Sequence, residues 1–296
     1  MGAPDLSVAV VGAGPAGLAA ALRLRAAGAC VTVVDAAPHV GGRTWTEHVD
    51  GGWRIDPGVQ LYSASYDAFF GQLRAAGAAA LAERSPGRDA LWRKGRAHEV
   101  VYGSPASMLA SGALPLQLKL RMGAQYLPYL QRHAGDLDLL ALERAAAAGL
   151  DGESIAAWGR RELGRDFVDL LAAPLLATLY GTLPDEASAG FYHALARQGM
   201  NLEVRALRGG ADGFCRAAAD RLREAGAVFH LSTAVDAVDT AEDGVRVSAG
   251  GASERFSAAV LALPAPEAGR IAKFLTPQGA KTLSEVRVRP AASLAL

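Results

Sequence analysis

A glycine-rich hexad, Gly12-Ala13-Gly14-Pro15-Ala16-Gly17, stands directly after the apolar run Ser7-Val8-Ala9-Val10-Val11 and before an alanine- and leucine-rich stretch that closes near Gly28. That order predicts a strand, a tight turn and a helix, and the apolar run 31–34 supplies the second strand of a βαβ unit. Pro15 suits the first helical turn, where its missing N–H has no bond to lose, and Gly28 suits the left-handed position after the last turn. Each glycine of the hexad has its own task. Gly12 permits the turn, Gly14 lets main chain approach a pyrophosphate, and Gly17 lets the helix sit close on the strand. Helix N–H groups and the positive end of the helix dipole would then meet the phosphates. Asp35, 18 positions past Gly17, would accept hydrogen bonds from ribose hydroxyls and repel a 2′-phosphate. Up to this point a nicotinamide and a flavin dinucleotide fit equally.

Composition removes several classes of function. The 296 residues are 51% hydrophobic and 20% charged, which suits packed globular domains. Thirty basic residues offset thirty acidic ones, so no overall field recruits nucleic acid or an anionic membrane. The two cysteines, Cys30 and Cys215, are too few for a disulfide framework; both are expected to be buried small hydrophobes, in a reducing, cytoplasmic compartment. Histidines and cysteines are scattered without ligand spacing, so no metal site is expected. Stretch 6–22 lacks a basic leader, and the later apolar runs fall short of the roughly 20 residues that span a bilayer, which leaves peripheral membrane contact at most.

Beyond the βαβ unit the pattern changes twice. Residues 44–49 and 53–55 about Asp50-Gly51 predict a hairpin, Ser65 can cap a helix through Phe69, Phe70 and Leu73, and residues 90–93 and 97–101 about Lys94-Gly95 predict a second hairpin. Residues 104–199 read as helical, broken at Gly112, Pro115, Gly135, Gly149 and Pro184. Within them, 116–130 is apolar around much of its circumference and predicts a core or cavity-lining helix, with a lipid-facing entrance as the minor reading. After Gly209-Gly210 an α/β pattern returns: a helix over 213–225, strands over 228–231, 234–238 and 245–248, and a buried run over 258–263.

The segment Asp35-Ala36-Ala37-Pro38-His39-Val40-Gly41-Gly42-Arg43-Thr44-Trp45-Thr46 is the next informative one. Gly41 and Gly42 would expose backbone N–H groups beside a long cofactor, and Arg43 could offset phosphate charge or hold the flavin end. The segment resembles the FAD fingerprint extension of the amine oxidase, phytoene desaturase and protoporphyrinogen oxidase superfamily: an acid and alanine, then a glycine pair, an arginine and a hydroxyl residue three further on. Gly41, Gly42, Arg43 and Thr46 match, and Asp35 stands where that family usually has glutamate. Residues 50–60 are similar to the family's following stretch. The likeness continues through 151–154, 174–176, 180–181 and 184–189, then Gly209-Gly210, Thr233-Ala234-Val235 and Ala262-Leu263-Pro264.

The resemblance implies FAD as cofactor and an α/β fold: a Rossmann-like FAD-binding domain with a β-hairpin and a helical substrate-domain insertion. It implies FAD-binding segments at 1–88 and 208–278, a mainly helical substrate domain at 89–207, and the start of a substrate-domain sheet at 279–296, opened by Val286-Arg287-Val288. The cofactor residues are then Gly12, Ala13, Gly14, Pro15, Ala16, Gly17, Asp35, Ala36, Gly41, Gly42, Arg43, Thr44, Gly58, Val59, Gln60 and Val235, the last through its backbone to adenine. The implied activity is hydride transfer to flavin from a C–N or C–C bond of a small apolar or amine substrate. Alternatives are a carotenoid-type desaturase or isomerase, and a truncated, non-catalytic relative that needs a partner chain; a homo-oligomer is the other partner expectation. Family members usually extend further, and the lysine and aromatic pair that serve amine oxidases lie in that further part, so no catalytic acid, base or cage is assigned here.

Overall fold

The run 7–11 forms strand β1, Ser7–Val11, and its side chains alternate between two cores. Val8 and Val10 enter one and Ala9 and Val11 the other, as the two-residue period of a strand requires. Helix α1, Pro15–Ala26, leads to strand β2, Cys30–Val34, which lies parallel to β1 with Val8 opposite Val31 and Val10 opposite Val33. The computed structural model describes residues 6–58, 61–85, 87–101 and 103–288.

Two strands from far along the chain complete this sheet. Val228–His230 pairs with β2 and Ala258–Leu261 with β1, both parallel, so the spatial order is Val228–His230, β2, β1, Ala258–Leu261. The direction of strand addition reverses between β1 and Ala258–Leu261. In open parallel sheets such a reversal leaves a crevice at the carboxyl ends of the strands, where ligands bind. One face of the sheet is covered by Leu18, Ala21 and Leu22 of α1 packed with Phe214, Cys215, Ala218 and Leu222 of the helix Gly213–Glu224. The other is covered by the antiparallel meander Val235–Ala241, Gly244–Ala249 and Ala252–Phe256, through Val238, Val247 and Phe256, with Ile271 beside them. At about 1.5–3 kcal/mol per fully buried large apolar side chain, these two faces dominate the stability of this part of the chain.

Contacts divide the chain into two units, Met1–Arg84 with Arg205–Leu296, and Ser85–Val204. The second unit opens on the hairpin Arg88–Arg93 and Arg96–Val101 and continues as helices around Phe167, Ile155, Leu176 and Leu130. Two of its helical runs contain a widened π turn, Met122–Tyr126 and Val168–Ala172. Each is followed, at the second residue of the next helix, by a proline, Pro128 and Pro174. A proline inside a helix has no N–H to donate and crowds the carbonyl four residues back, and a wide turn just before it relieves both. Stretch 116–130 gives Leu118, Tyr126 and Leu130 to the core and leaves Leu116 and Leu120 exposed. In the same core, His193 of the helix Ala189–Gly199 is fully buried among Tyr126, Tyr129, Trp158 and Tyr192.

Several local expectations change. Cys30 is exposed at the start of β2, where the strand has not yet entered the core, while Cys215 is buried. Ser65 does not cap the following helix, Asp67–Ala75; its hydroxyl is turned back to that of Ser63 at 2.7 Å. Gly42–Thr44 closes a tight turn, so the first hairpin strand begins only at Glu47. The third meander strand, Ala252–Phe256, escaped the sequence pattern because four of its five residues are exposed. Residues 277–285 form the helix Pro277–Glu285 instead of opening a sheet, and 286–288 are not a strand. A valine alternation favours a strand only where a neighbouring strand takes up its hydrogen bonds. Residues 289–296 lie outside the described residues. Among the described residues, no helix is long and apolar enough to cross a membrane, and no His, Cys, Asp and Glu cluster could hold a metal ion.

Candidate cofactor site

The turn after β1 carries three glycines in three different situations. Gly12 has φ +109°, and a Cβ there would stand 2.5 Å from the Ala262 carbonyl oxygen, so no other residue fits. A Cβ on Gly17 would run into the Gly12 carbonyl oxygen, which fixes how closely α1 approaches the strand. Gly14 is the opposite case. It is the N-cap of α1 with extended backbone, and nothing lies within 4 Å of where its Cβ would be. Neither a side-chain cap nor an acidic residue occupies the first turn of α1. A helix tip without a carboxylate of its own, open space in front of it and a positive dipole end together fit a pyrophosphate.

Asp35 follows β2 and is held from two sides. Its Oδ2 accepts the Ala13 N–H at 2.6 Å and its Oδ1 the Ala37 N–H at 2.8 Å. An ionised carboxylate has about four acceptor sites, so each oxygen keeps capacity for a ribose hydroxyl. Ala36 beside it is exposed. The Thr233 N–H donates to the Asp35 carbonyl and the Ser232 N–H to that of Ala37, both at 2.9 Å. These bonds bring the start of Val235–Ala241 next to the acid, with Val235 itself buried alongside Val11 and Val34. Asp35→Ala is expected to weaken binding of FAD about tenfold or more and to cost about 1–3 kcal/mol of stability, because two N–H groups lose their acceptor. FAD titration and urea unfolding of the variant check both effects.

The second glycine pair docks on the first turn. The Gly41 N–H donates to the Ala13 carbonyl at 3.0 Å, a Cβ on Gly42 would lie 3.4 Å from Gly14 Cα, and the Thr44 hydroxyl closes the turn onto the Gly41 carbonyl at 2.8 Å. Arg43 is exposed, and its guanidinium makes no hydrogen bond or ion pair among the described residues. Gly58 lies so close to the Arg43 carbonyl oxygen that a Cβ would overlap it. Gly12–Gly17, Asp35, Gly41–Thr44 and Gly58 therefore form one contiguous group; Val59 and Gln60 fall outside the described residues.

Beneath this group lies a buried polar set of which the sequence marked only Thr46, the hydroxyl residue of the fingerprint. The Thr46 hydroxyl donates to Asp56 Oδ1 at 2.5 Å and accepts the Asp212 N–H at 3.2 Å. The same Asp56 oxygen accepts the Ala211 N–H at 3.1 Å, and the Tyr62 hydroxyl donates to the Ala211 carbonyl at 3.0 Å. Asp212 is fully buried and pairs with Arg216, whose Nη1 lies 2.6 Å from Oδ1 and 2.8 Å from Oδ2. Burial holds the Tyr62 phenol well above its ordinary range, with the charges of Cys215, Asp56 and Asp212 adding to it. Burial likewise pushes the Cys215 thiol up to about 11, so it stays protonated at neutral pH. The available signal was Asp212 itself, an acid inside Gly209-Gly210-Ala211-Asp212-Gly213 with Arg216 four positions on.

The family model described as flavin containing amine oxidoreductase matches residues 15–294. This chain belongs to that family. FAD is its cofactor, and the uncapped helix tip, Asp35 and the uncommitted Arg43 fit such a group. Cyclohexylamine oxidase from Brevibacterium oxydans, a protein of known structure, superposes with a TM-score of 0.73 at 25% identity, over 95% of this chain and 63% of that one. Wild-type putrescine oxidase bound to putrescine gives a TM-score of 0.72 at 24% identity, over 94% and 63%, a likeness of fold. Putrescine oxidase from Kocuria rosea is 60% identical over 47 residues, 16% of this chain and 10% of that protein. The chain thus spans less than two thirds of the length of these relatives.

Proposed function

We propose that this chain binds FAD on the amino-terminal turn and oxidises the C–N bond of a small amine. The tip of α1 and Gly14 would hold the pyrophosphate, Asp35 the adenosine ribose, and Gly42, Arg43 and Gly58 the part of the cofactor toward the flavin. FAD, when bound, supplies the hydride acceptor. The chain's own residues bind and orient: the α1 dipole counters the phosphate charges, Arg43 holds the flavin end, and Asp35 discriminates against a phosphorylated ribose. Gly14 carries the reading, because the space that its missing side chain leaves faces an uncapped helix end. An amine substrate is supported by the likeness to putrescine oxidase and cyclohexylamine oxidase.

An absorption spectrum of the purified chain with added FAD tests the binding half, with a bound, perturbed flavin spectrum expected. Anaerobic mixing with putrescine or cyclohexylamine tests the other half, and bleaching of the flavin band is the expected result. A chain that leaves the spectrum of added FAD unchanged and retains none of it after desalting would overturn the binding assignment. One that binds FAD but stays oxidised with both amines would overturn the substrate class.

A further inference from the structure

We infer that Asp56 is a positioning residue, which acts through Thr46 and the Ala211–Asp212 turn to hold the Gly41–Arg43 loop in the shape that receives the flavin half of FAD. The inference rests on the proposed FAD site and extends it to residues that need not touch the cofactor.

A near neighbour and a distant stretch of the chain meet at one carboxylate oxygen of Asp56. Asp56 Oδ1 takes the hydroxyl proton of Thr46, ten positions earlier, and the N–H of Ala211, 155 positions later. Thr46 passes the connection on by accepting the Asp212 N–H. Thr46 and Asp212 are both fully buried, so water cannot replace either bond. Gly210 packs closely on the same side chain, since a Cβ there would stand 2.5 Å from Thr46 Cγ2. The Cβ position of Gly41 is 3.7 Å from Asp212 Cβ. The glycine-pair loop is therefore fastened to the first turn through Gly41 and Ala13 on one side and backed by Asp212 on the other.

The chemistry explains why an acid stands at position 56. A carboxylate oxygen accepts two donors and brings no N–H of its own, whereas an amide would place two further donors in a crowded interior. The arrangement is also one-sided. Asp35 and the first turn are held by their own bonds, Ala13 and Ala37 N–H to the carboxylate and Gly12 N–H to the Val34 carbonyl, none of which involves Asp56. Loss of the Asp56 connection should therefore disturb the Arg43 side and spare the ribose side.

The test compares FAD with ADP, which carries the ribose and pyrophosphate but no flavin, on the full chain and its Thr46→Val, Thr46→Ser and Asp56→Ala variants. Thr46→Val keeps the shape and removes the hydroxyl. It and Asp56→Ala are expected to weaken FAD binding about tenfold or more while changing ADP binding less than about twofold, and Thr46→Ser to restore FAD binding. The bound-flavin absorption bands should broaden in Thr46→Val and sharpen again in Thr46→Ser. If Asp56→Ala does not fold, the valine and serine pair carries the comparison alone. A parent that binds both ligands alongside a Thr46→Val that binds FAD equally well would overturn this inference and leave the FAD site standing; equal weakening of ADP would overturn it as well. A parent that binds neither ligand would overturn the FAD site and this inference with it.

Discussion

Gly14→Glu is expected to keep the fold and to weaken FAD binding by at least about a hundredfold, or ~2.7 kcal/mol. Folding should survive because φ at Gly14 is −76°, open to any residue, and the space around its Cβ position is empty for 4 Å. The same empty space is what the pyrophosphate needs. A glutamate there would fill it and set a negative charge against two others at the tip of α1, where like-charge contact costs several kcal/mol. Gly17→Ala is the contrasting control: its new methyl would overlap the Gly12 carbonyl oxygen, so stability rather than affinity alone should fall. Calorimetric FAD titration beside thermal unfolding separates the two. Wild-type affinity in Gly14→Glu would show that the cofactor does not lie across this turn.

The second large effect belongs to the helical unit and to acid. Burial holds His193 at a pKa of about 3 against an ordinary 6.5, with His133 lowering it further and Glu153 acting in the opposite sense. Its Nδ1 lies 3.1 Å from the Tyr126 hydroxyl, and its Nε2 has no hydrogen-bond partner among the described residues. A folded-state pKa below the unfolded one means that the unfolded chain takes up the proton first. Stability from this group is therefore complete above about pH 6.5 and is lost as pH falls from there toward 3, by about 3 kcal/mol at pH 4. Urea unfolding of the parent should show a midpoint that drops across this window. His193→Phe keeps a ring in the aromatic cluster but cannot titrate; it starts less stable, since the Tyr126 hydroxyl loses its partner, and its midpoint should vary less with pH. Parallel curves for parent and variant would mean that His193 is charged at little cost.

How much of this was legible in the sequence follows from how far apart the cooperating residues stand. The βαβ unit is local, and its glycines, Pro15 and Asp35 lie within one short stretch whose order allows few other structures. The hydroxyl and acid set beneath the site could not be read the same way. Asp56 and Ala211 meet only after the chain has returned to the first unit, and neither position has a periodic or compositional mark. Surface elements were the other loss: Ala252–Phe256 hides its strand character behind exposed residues, and Cys30 reads as apolar core although it sits one residue outside it. Ser65 shows the limit of capping rules, because a nearby hydroxyl, Ser63, competes for the side chain that a helix start would use.

The sheet drawn from both ends of the chain also has a consequence for biosynthesis. Ser7 and Ser257 bond to each other across 250 positions. At bacterial or eukaryotic rates of roughly 5–20 residues per second, the first strand leaves the ribosome on the order of ten seconds or more before its outer neighbour exists. Throughout that interval one side of β1 lacks the strand that the folded sheet sets beside it, an open ladder edge of the kind that pairs with other extended chains.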